Sequence, residues 1–164
     1  MSGKLYLMSG IPASGKSTFA KQFAVDHNWK YISRDVVRFS MVSDKNHYFD
    51  REDEVWREYV NQIVMHLQNG DNVIADATHL NRRSRMKLIN AVRPKVVPSE
   101  IDCFVVMTPF EECLKRNSQR TGMELVPDSA MYNMNRAFKV PTYDEPFENI
   151  IVVKDGAIIG KVAK

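Results

Sequence analysis

The residues with the clearest chemistry form a glycine-rich stretch near the start of the chain, Gly10-Ile11-Pro12-Ala13-Ser14-Gly15-Lys16-Ser17. It matches the pattern GxxxxGK[ST], whose glycines let the backbone curl so that successive N–H groups point at phosphate oxygens. The lysine can reach the outer phosphates of a nucleotide, and the final serine hydroxyl can bind Mg²⁺. A glycine-rich turn without a ligand would not need a strand before it and a helix after it. Both are predicted here, since Leu5 to Met8 is apolar and Ser17 to His27 has helical spacing. We therefore expect a nucleoside triphosphate to bind here.

Two charged residues after the next apolar stretch could act on an acceptor. Lys30 to Ser33 is typical of a strand, and Asp35 lies just beyond it, where a carboxylate could take the proton from an attacking hydroxyl. Arg38 lies one helical turn further on and could grip a phosphate or carboxylate of the acceptor. Two simpler interpretations stay open, because an aspartate also suits a turn or a helix cap and Arg38 could be its surface ion-pair partner.

A third strand end carries another carboxylate. Asp76 follows the apolar residues Val73 to Ala75, in the position of a carboxylate that holds the Mg²⁺ shell of a triphosphate, although such an aspartate can also cap a helix. A basic run follows at the start of the next helix. Beside an acceptor cleft it could bind a phosphodiester backbone, and elsewhere it would be a solvated face. The run comprises Arg82, Arg83, Arg85 and Lys87.

Arg116 and Arg120 flank a break in the helical pattern, where residues 118–125 include Gly122. A segment of this kind above a phosphate-binding loop is typical of a lid, which we place at about residues 117–126. Arginines in a lid neutralise charge that develops on a transferred phosphoryl group. The alternative is a pair of surface arginines spaced by four residues, which would repel slightly.

The strands and helices that position these residues follow from the hydrophobic pattern. Short apolar strands alternate with helices, which predicts a parallel sheet covered on both faces, and Asp155-Gly156 predicts a final hairpin. Thr108 to Glu111 reads as a helix start capped by Thr108, and the polar stretch Ser43 to Asp50 reads as disordered. The fold class is thus α/β, with a five-stranded parallel sheet, a helical lid and a C-terminal β-hairpin. Because ligands bind beyond the carboxyl ends of such strands, we expect the strand ends to form one site.

Length and composition indicate one domain over residues 1–164, with a net charge of +3 that does not by itself indicate a nucleic-acid partner. Cys103 and Cys113 lie among apolar neighbours, so we expect buried reduced thiols. No apolar run is long enough for a membrane span and no signal peptide opens the chain, so we expect a cytoplasmic protein. The four histidines share no spacing, and we assign no role to His79.

With these residues in view, the chain resembles the kinase module of the polynucleotide 5′-hydroxyl kinases and related small P-loop kinases. The resemblance covers most of the chain, and its more specific elements are Ser33-Arg34-Asp35 with Arg38, and Lys115 to Arg120. It implies a P-loop kinase fold in which ATP or another nucleoside triphosphate and Mg²⁺ are bound. The residues implied for the nucleotide are Gly10, Ala13, Ser14, Gly15, Lys16, Ser17, Thr18, Arg116 and Arg120, with Ser17 and Asp76 for the metal.

The resemblance also implies the roles of the reacting groups. Asp35 would be the general base and Arg38 would bind the phosphate next to the acceptor hydroxyl, while Lys16 and Arg120 would act on the transferred phosphate. Asp76 would order the metal or Arg38. Asp76, Thr78 and, from the basic run, Arg82 would complete the acceptor side. We therefore expect a kinase of the 5′-hydroxyl end of DNA or RNA. The alternatives are a kinase of a nucleoside, sugar or other alcohol, a kinase of a modified base or aminoacyl group on nucleic acid, and a non-enzymatic nucleotide switch.

Overall fold

Short strands and helices alternate along the chain in a computed structural model that describes all residues from Met1 to Lys164. The strands are β1 (Leu5–Ser9), β2 (Lys30–Ser33), β3 (Val73–Asp76), β4 (Ile101–Val106), β5 (Asn149–Lys154) and β6 (Ala157–Lys161). The helices are α1 (Lys16–His27), α2 (Arg34–Met41), α3 (Glu52–Gln68), α4 (Arg82–Val92), α5 (Phe110–Ser118) and α6 (Asp128–Ala137), with single 3₁₀ turns at Lys45–His47 and Gly122–Glu124.

The strands form one sheet in the order β2-β3-β1-β4-β5-β6, and the first five are parallel. The predicted five-stranded parallel sheet is thereby confirmed. β6 pairs antiparallel with β5 through the predicted hairpin, whose turn residues Asp155 and Gly156 both have positive φ. That conformation matches the twist of a two-residue hairpin and suits an Asp-Gly pair. In β4 all six residues are buried, as in a strand covered on both faces.

Helices cover both faces of the sheet, as the sequence predicted. On one face α3 and α4 pack against the strands through residues such as Ile63 and Leu88. On the other face α1 packs through Ala20 and Ala24. A smaller cluster at the carboxyl end of the sheet joins the phosphate loop to α5 and α6 through Ile11, Cys113 and Met131. The two helices on either side of the predicted lid are therefore packed on the phosphate loop.

Two local expectations were wrong. Thr108 does not cap α5, because its hydroxyl donates instead to the carbonyl of Ser14, at 2.6 Å, and no side chain caps that helix. Thr108 thus fastens the end of β4 to the phosphate loop. The stretch 43–50, which reads as disordered, contains a 3₁₀ turn that is capped by the side chain of Asp44.

Cys103 and Cys113 are free and buried, as expected from their apolar neighbours. Burial raises the pKa of both thiols, which keeps them protonated and unreactive. None of the six α-helices combines the length and the hydrophobicity that crossing a bilayer requires.

Candidate active site

The loop between β1 and α1 has the backbone of a phosphate cradle. Gly15 has φ of 93° and Ala13 has φ of 63°, so the chain turns sharply before the helix begins. Gly10 also needs to be glycine, because a Cβ there would lie 2.9 Å from the hydroxyl of Ser14. The N–H groups of residues 15–18 have no acceptor within the protein, and Lys16 has no carboxylate partner although only 9% of it is exposed. These donors are free to bind an anion at the start of α1.

Ser17 and Asp76 meet directly behind this loop. The Ser17 hydroxyl donates to Asp76 Oδ2 at 2.6 Å, and the hydroxyl of Tyr31 donates to the same oxygen. Asp76 Oδ1 is buried and has no hydrogen-bond partner. A hydroxyl and a carboxylate with a free oxygen fit Mg²⁺, which takes few protein ligands and keeps waters and phosphate oxygens as the rest of its shell. Nowhere in the chain do three His, Cys, Asp or Glu side chains gather into an all-protein metal site.

Three buried side-chain polar atoms in the chain have no hydrogen-bond partner, and all three belong to this region. They are Ser14 Oγ in the phosphate loop, Asp76 Oδ1 behind it, and Arg34 Nε at the end of β2. Leaving a buried polar group unpaired costs about 1–3 kcal/mol, so such groups commonly mark a place where a ligand or ion completes the bonding. Their grouping supports a ligand site at the carboxyl ends of β1, β2 and β3.

Asp35 follows the strand next to the one that carries Asp76 of the candidate Mg²⁺ site. Ser33 pairs with Asp76 across the sheet, and Asp35 follows two residues later in the first turn of α2. Ser33, rather than Asp35, caps that helix, since its hydroxyl accepts from the N–H of Val36. The side chain of Asp35 is 61% exposed, so a hydroxyl can reach it.

Arg38 is buried and almost fully bonded. Its Nη1 donates to Asp35 Oδ1 at 2.5 Å, and its Nε and Nη2 donate to the two oxygens of Glu52 at 2.7 and 3.0 Å. Nη1 also donates to the hydroxyl of Tyr48, and the guanidinium lies 4.6 Å from the centre of the Tyr48 ring. Arg34 donates to Glu52 as well, at 2.9 Å. Arg38 therefore lies beside Asp35 as predicted, but α3 contributes a carboxylate that holds it.

His79, to which we gave no role, is 4% exposed and fastens the turn after β3 to β1. Its Nδ1 lies 2.6 Å from the carbonyl of Met8, so Nδ1 carries the proton and donates. Burial lowers the pKa of His79 to about 4 despite that hydrogen bond, so the ring is neutral at pH 7. Its own carbonyl accepts from the Ser9 hydroxyl, at 2.8 Å. His79 is thus a structural residue beneath the phosphate loop.

The basic run at the start of α4 is not one continuous surface. Arg85 is 1% exposed and forms a buried ion pair with Glu145, with Nε to Oε1 at 2.6 Å, so the expectation that it helps to bind a phosphodiester backbone was wrong. Lys87 lies 4.4 Å from the centre of the Trp56 ring. Arg82 is half exposed and pairs with Asp144 in the connector before β5. Arg83 remains exposed, and Arg82 remains a predicted substrate-binding residue.

The segment that we predict to be a lid, residues 117–126, is closed at its base. Asn117 is fully buried, and its side chain donates to the carbonyl of Val126 at 2.7 Å and accepts from the N–H of Val126 at 3.1 Å. These two bonds close the ends of residues 117–126 on each other. Arg120 lies within this segment and has one weak bond, at 3.5 Å, to the carbonyl of Glu124. Its guanidinium is therefore available for a phosphate.

Arg116 lies beside the phosphate loop. A Cβ at Gly15 would be 3.5 Å from its Nη1, and it forms an exposed ion pair with Glu112 on the same helix. A cavity of about 720 Å³ opens between Arg116, the first turns of α1 and the β5–β6 turn. Its lining includes Ser14, Gly15, Thr18, Asp155 and Ile158.

Thr78, predicted to bind the acceptor, lies next to the phosphate loop. The N–H of Gly10 donates to the carbonyl of Thr78 at 2.9 Å, which joins the loop to the turn after β3.

Four residues at this site were missed by the sequence reasoning: Arg34, Tyr31, Tyr48 and Glu52. Arg34 could have been identified as a site residue, because it lies next to Asp35 and within the motif Ser33-Arg34-Asp35. Glu52 and Tyr48 had none, because they reach Arg38 from 14 and 10 residues further along the chain. Tyr31 reads as an ordinary strand aromatic until Asp76 is seen beside it.

Known proteins with related sequences support a phosphate-transferring site. The profile of the AAA_33 family, described as an AAA domain, matches residues 5–141. The L-seryl-tRNA(Sec) kinase of Methanococcus maripaludis is 29% identical over 143 residues, which are 84% of this chain and 53% of that protein. The chain thus spans about half the length of this relative.

Solved structures give the same picture of the fold. A chain of the Pnkp1/Rnl/Hen1 RNA repair complex is 27% identical, with a TM-score of 0.70 over 99% of this chain and 50% of that chain. A sugar kinase from Janibacter is 20% identical, with a TM-score of 0.65 over 94% of this chain and 86% of its own, and so shares the fold. Together with the phosphate loop and the parallel sheet, the match over residues 5–141 shows that the chain belongs to the AAA_33 family and is a P-loop kinase domain.

Proposed function

We propose that this chain transfers the γ-phosphate of ATP to the 5′-hydroxyl end of a DNA or RNA strand. The observation that carries the proposal is the exposed Asp35 carboxylate, held by Arg38 at the end of β2, one strand from the Ser17–Asp76 pair. A base, a cation site and a phosphate cradle then lie at the ends of three neighbouring strands, the set of groups that phosphoryl transfer requires. The likeness to a chain of an RNA repair complex favours a nucleic-acid acceptor.

The residues divide the reaction between them. The free N–H groups at the start of α1, together with Lys16, bind the β- and γ-phosphates, and Arg116 borders the cavity for the nucleoside. Mg²⁺ held by Ser17 and Asp76 would neutralise charge on these phosphates. Asp35 accepts the proton of the 5′-hydroxyl as its oxygen attacks the γ-phosphorus. The bond from that phosphorus to the β–γ bridging oxygen breaks, and ADP leaves. Arg120 neutralises the charge on the transferred group.

A second acceptor has its own support. The relative from Methanococcus maripaludis is named for a seryl group carried on tRNA. A primary alcohol on an aminoacyl group could approach Asp35 as a 5′-hydroxyl does. For a free sugar or nucleoside the support is weaker, because the sugar kinase shares the fold alone at 20% identity.

Transfer of label from γ-labelled ATP separates these acceptors. A single-stranded oligonucleotide with a 5′-hydroxyl would be offered beside the same strand with a 5′-phosphate, seryl-tRNA, nucleosides and sugars. We expect label only on the 5′-hydroxyl strands, and more weakly at higher salt because phosphate contacts release counterions. Label confined to seryl-tRNA would replace the proposal by the second acceptor, and label confined to nucleosides or sugars would refute both.

Replacing the proposed base tests its role. Asp35→Ala should lower the transfer rate at least ~100-fold because the proton acceptor is lost, while ATP binding is retained because the hydrogen-bond partner of Asp35 is Arg38 and no residue of the phosphate loop. Asp53→Ala, an exposed aspartate on α3, is the matched control and should transfer at the wild-type rate. Near-normal turnover by Asp35→Ala would remove Asp35 from the mechanism.

A further inference from the structure

Three aromatic side chains near Asp35 take no part in the hydrophobic core. Phe39, Tyr48 and Phe49 contact one another edge to face, with ring centres 6.4 Å apart for the first pair and 4.7 Å for the second. We refer to them as the aromatic cluster. None of them belongs to the three buried clusters or packs against one. Phe49 is 71% exposed. Phe39 and Tyr48 are half-buried, so the cluster presents the Phe49 ring to solvent on a base of two other aromatic rings.

The aromatic cluster is joined to the acceptor site through one side chain. The Arg38 guanidinium lies 4.6 Å from the centre of the Tyr48 ring and donates to its hydroxyl at 3.1 Å. The same Nη1 atom of Arg38 donates to Asp35 at 2.5 Å. Tyr48, the central ring of the aromatic cluster, is thus linked through one guanidinium to the carboxylate proposed to receive the acceptor hydroxyl.

The charges around the aromatic cluster are balanced and give no surplus of positive charge for a phosphate. Asp44 and Asp50 are 56% and 61% exposed and lie 3.9 and 2.6 Å from the ring nitrogens of His47. Lys45 and Arg51 belong to the same stretch of chain. Aromatic faces stack with every nucleic-acid base without needing a positive charge.

We infer that the aromatic cluster, and Phe49 above all, stacks with the base of the 5′-terminal nucleotide of the acceptor strand. The inference rests on the proposed function, because it places that base on the sugar whose 5′-hydroxyl meets Asp35. Stacking of this kind does not read the base identity, so the site accepts any terminal base.

The test compares two acceptor strands in four proteins. One strand has a 5′-hydroxyl and an ordinary first base, and the other is identical except that the first residue is abasic. The proteins are the wild type, Phe49→Ala, Phe49→Trp and the control Val97→Ala, which alters an apolar residue that is 70% exposed after α4. The measured quantity is kcat/KM for each strand, with KM for ATP determined in parallel.

We expect the wild type and Val97→Ala to prefer the strand with a base by about 5- to 100-fold, the range that stacking on one aromatic side chain supports. Phe49→Ala should lose this preference by raising KM for the strand with a base, leave the abasic strand unchanged, and keep KM for ATP. Phe49→Trp should restore the preference. Because Phe49 is so exposed, melting temperatures should agree among the four proteins.

Two results would overturn the inference, and they differ from each other. If the wild type phosphorylates both strands but Phe49→Ala keeps the same preference, the base does not stack on Phe49 while the proposed function stands. If no strand with a 5′-hydroxyl is phosphorylated, the proposed function has failed and the assigned ligand fails with it.

Discussion

Arg38 donates two parallel hydrogen bonds to Glu52, which joins α2 to α3 across 14 residues of chain. The pair fixes the guanidinium in one plane, so that Nη1 meets Asp35. The side-chain partners of Glu52 are Arg34 and Arg38, so it acts on the candidate base only through them. It is therefore a positioning residue for the candidate base.

Replacing Glu52 by Gln should loosen Arg38. The buried guanidinium keeps Asp35 as its only carboxylate, so we expect the free energy of unfolding to fall by about 1–2 kcal/mol, less than for a fully buried pair because Glu52 is partly exposed. Because Arg38 no longer holds Asp35, kcat/KM for the acceptor should fall about tenfold, a loss of about 1.4 kcal/mol, while KM for ATP stays the same. Glu54→Gln breaks the exposed pair with Arg51 and is the matched control. A tenfold rise in KM for ATP in Glu52→Gln would contradict a role confined to the acceptor side.

The two lid arginines should affect different kinetic constants. Arg116 borders the cavity beside Gly15, so Arg116→Ala should raise KM for ATP by about tenfold with little change in kcat. Arg120 has no firm partner in the protein and can meet the transferred phosphate, so Arg120→Ala should lower kcat by about a thousandfold. Steady-state kinetics at varied ATP concentration separate the two effects. Arg136→Ala on α6 is the control, and equal effects of the Arg116 and Arg120 variants on kcat alone would show that Arg116 does not bind ATP in the ground state.

Much of the fold could be predicted because its determinants are local. The phosphate loop, the apolar strands and the Asp-Gly hairpin are each encoded within a few residues. The prediction that Thr108 caps α5 failed because its hydroxyl bonds to Ser14, which is 94 residues away in sequence. The prediction of an exposed basic run failed at Arg85 because this residue forms a buried ion pair with Glu145, from the connector before β5. Contacts of this kind depend on tertiary packing, and the spacing of residues in the sequence does not predict them.

In the candidate site too, residues placed by local sequence patterns could be predicted, and residues placed by tertiary contacts could not. Lys16 and Ser17 could be placed from the phosphate-loop pattern and Asp76 from its strand end, because the carboxyl edges of parallel strands meet. The carboxylate that holds Arg38 could not, since Glu52 opens a helix with two other acidic residues in its first turn and looks like any favourable helix start. The contacts that surround Arg38 could therefore not be predicted from the sequence.

His79 should make stability fall in mild acid. Burial lowers its pKa to about 4, below the value of about 6.5 in the unfolded chain, so the unfolded state binds more protons between these values. The stabilising contribution is complete above about pH 6.5, is lost as the pH falls towards 4, and changes no further below that. Between pH 7 and pH 5 the loss is about 2 kcal/mol. Urea unfolding of the wild type and of His79→Asn, which suits the positive φ of 41° at this position, measures it. We expect the variant to lack this part of the pH dependence, and identical slopes for the two proteins would refute the assignment.

Asn117 should control how often the lid opens. Asn117→Ala removes both hydrogen bonds to Val126 and leaves its N–H and carbonyl without these partners, at a cost of about 2–3 kcal/mol. The lid segment should then open more often, and trypsin should cleave after Arg120 at least ~10-fold faster than in the wild type, since cleavage follows the population of the open form. Bound ATP should slow that cleavage if Arg116 and Arg120 close on its phosphates. Asn133→Ala, an asparagine on α6 that accepts a hydrogen bond from Arg136, is the matched control and should be cut at the wild-type rate. Equal cleavage of Asn117→Ala and wild type would mean that the two bonds do not hold the base of the lid.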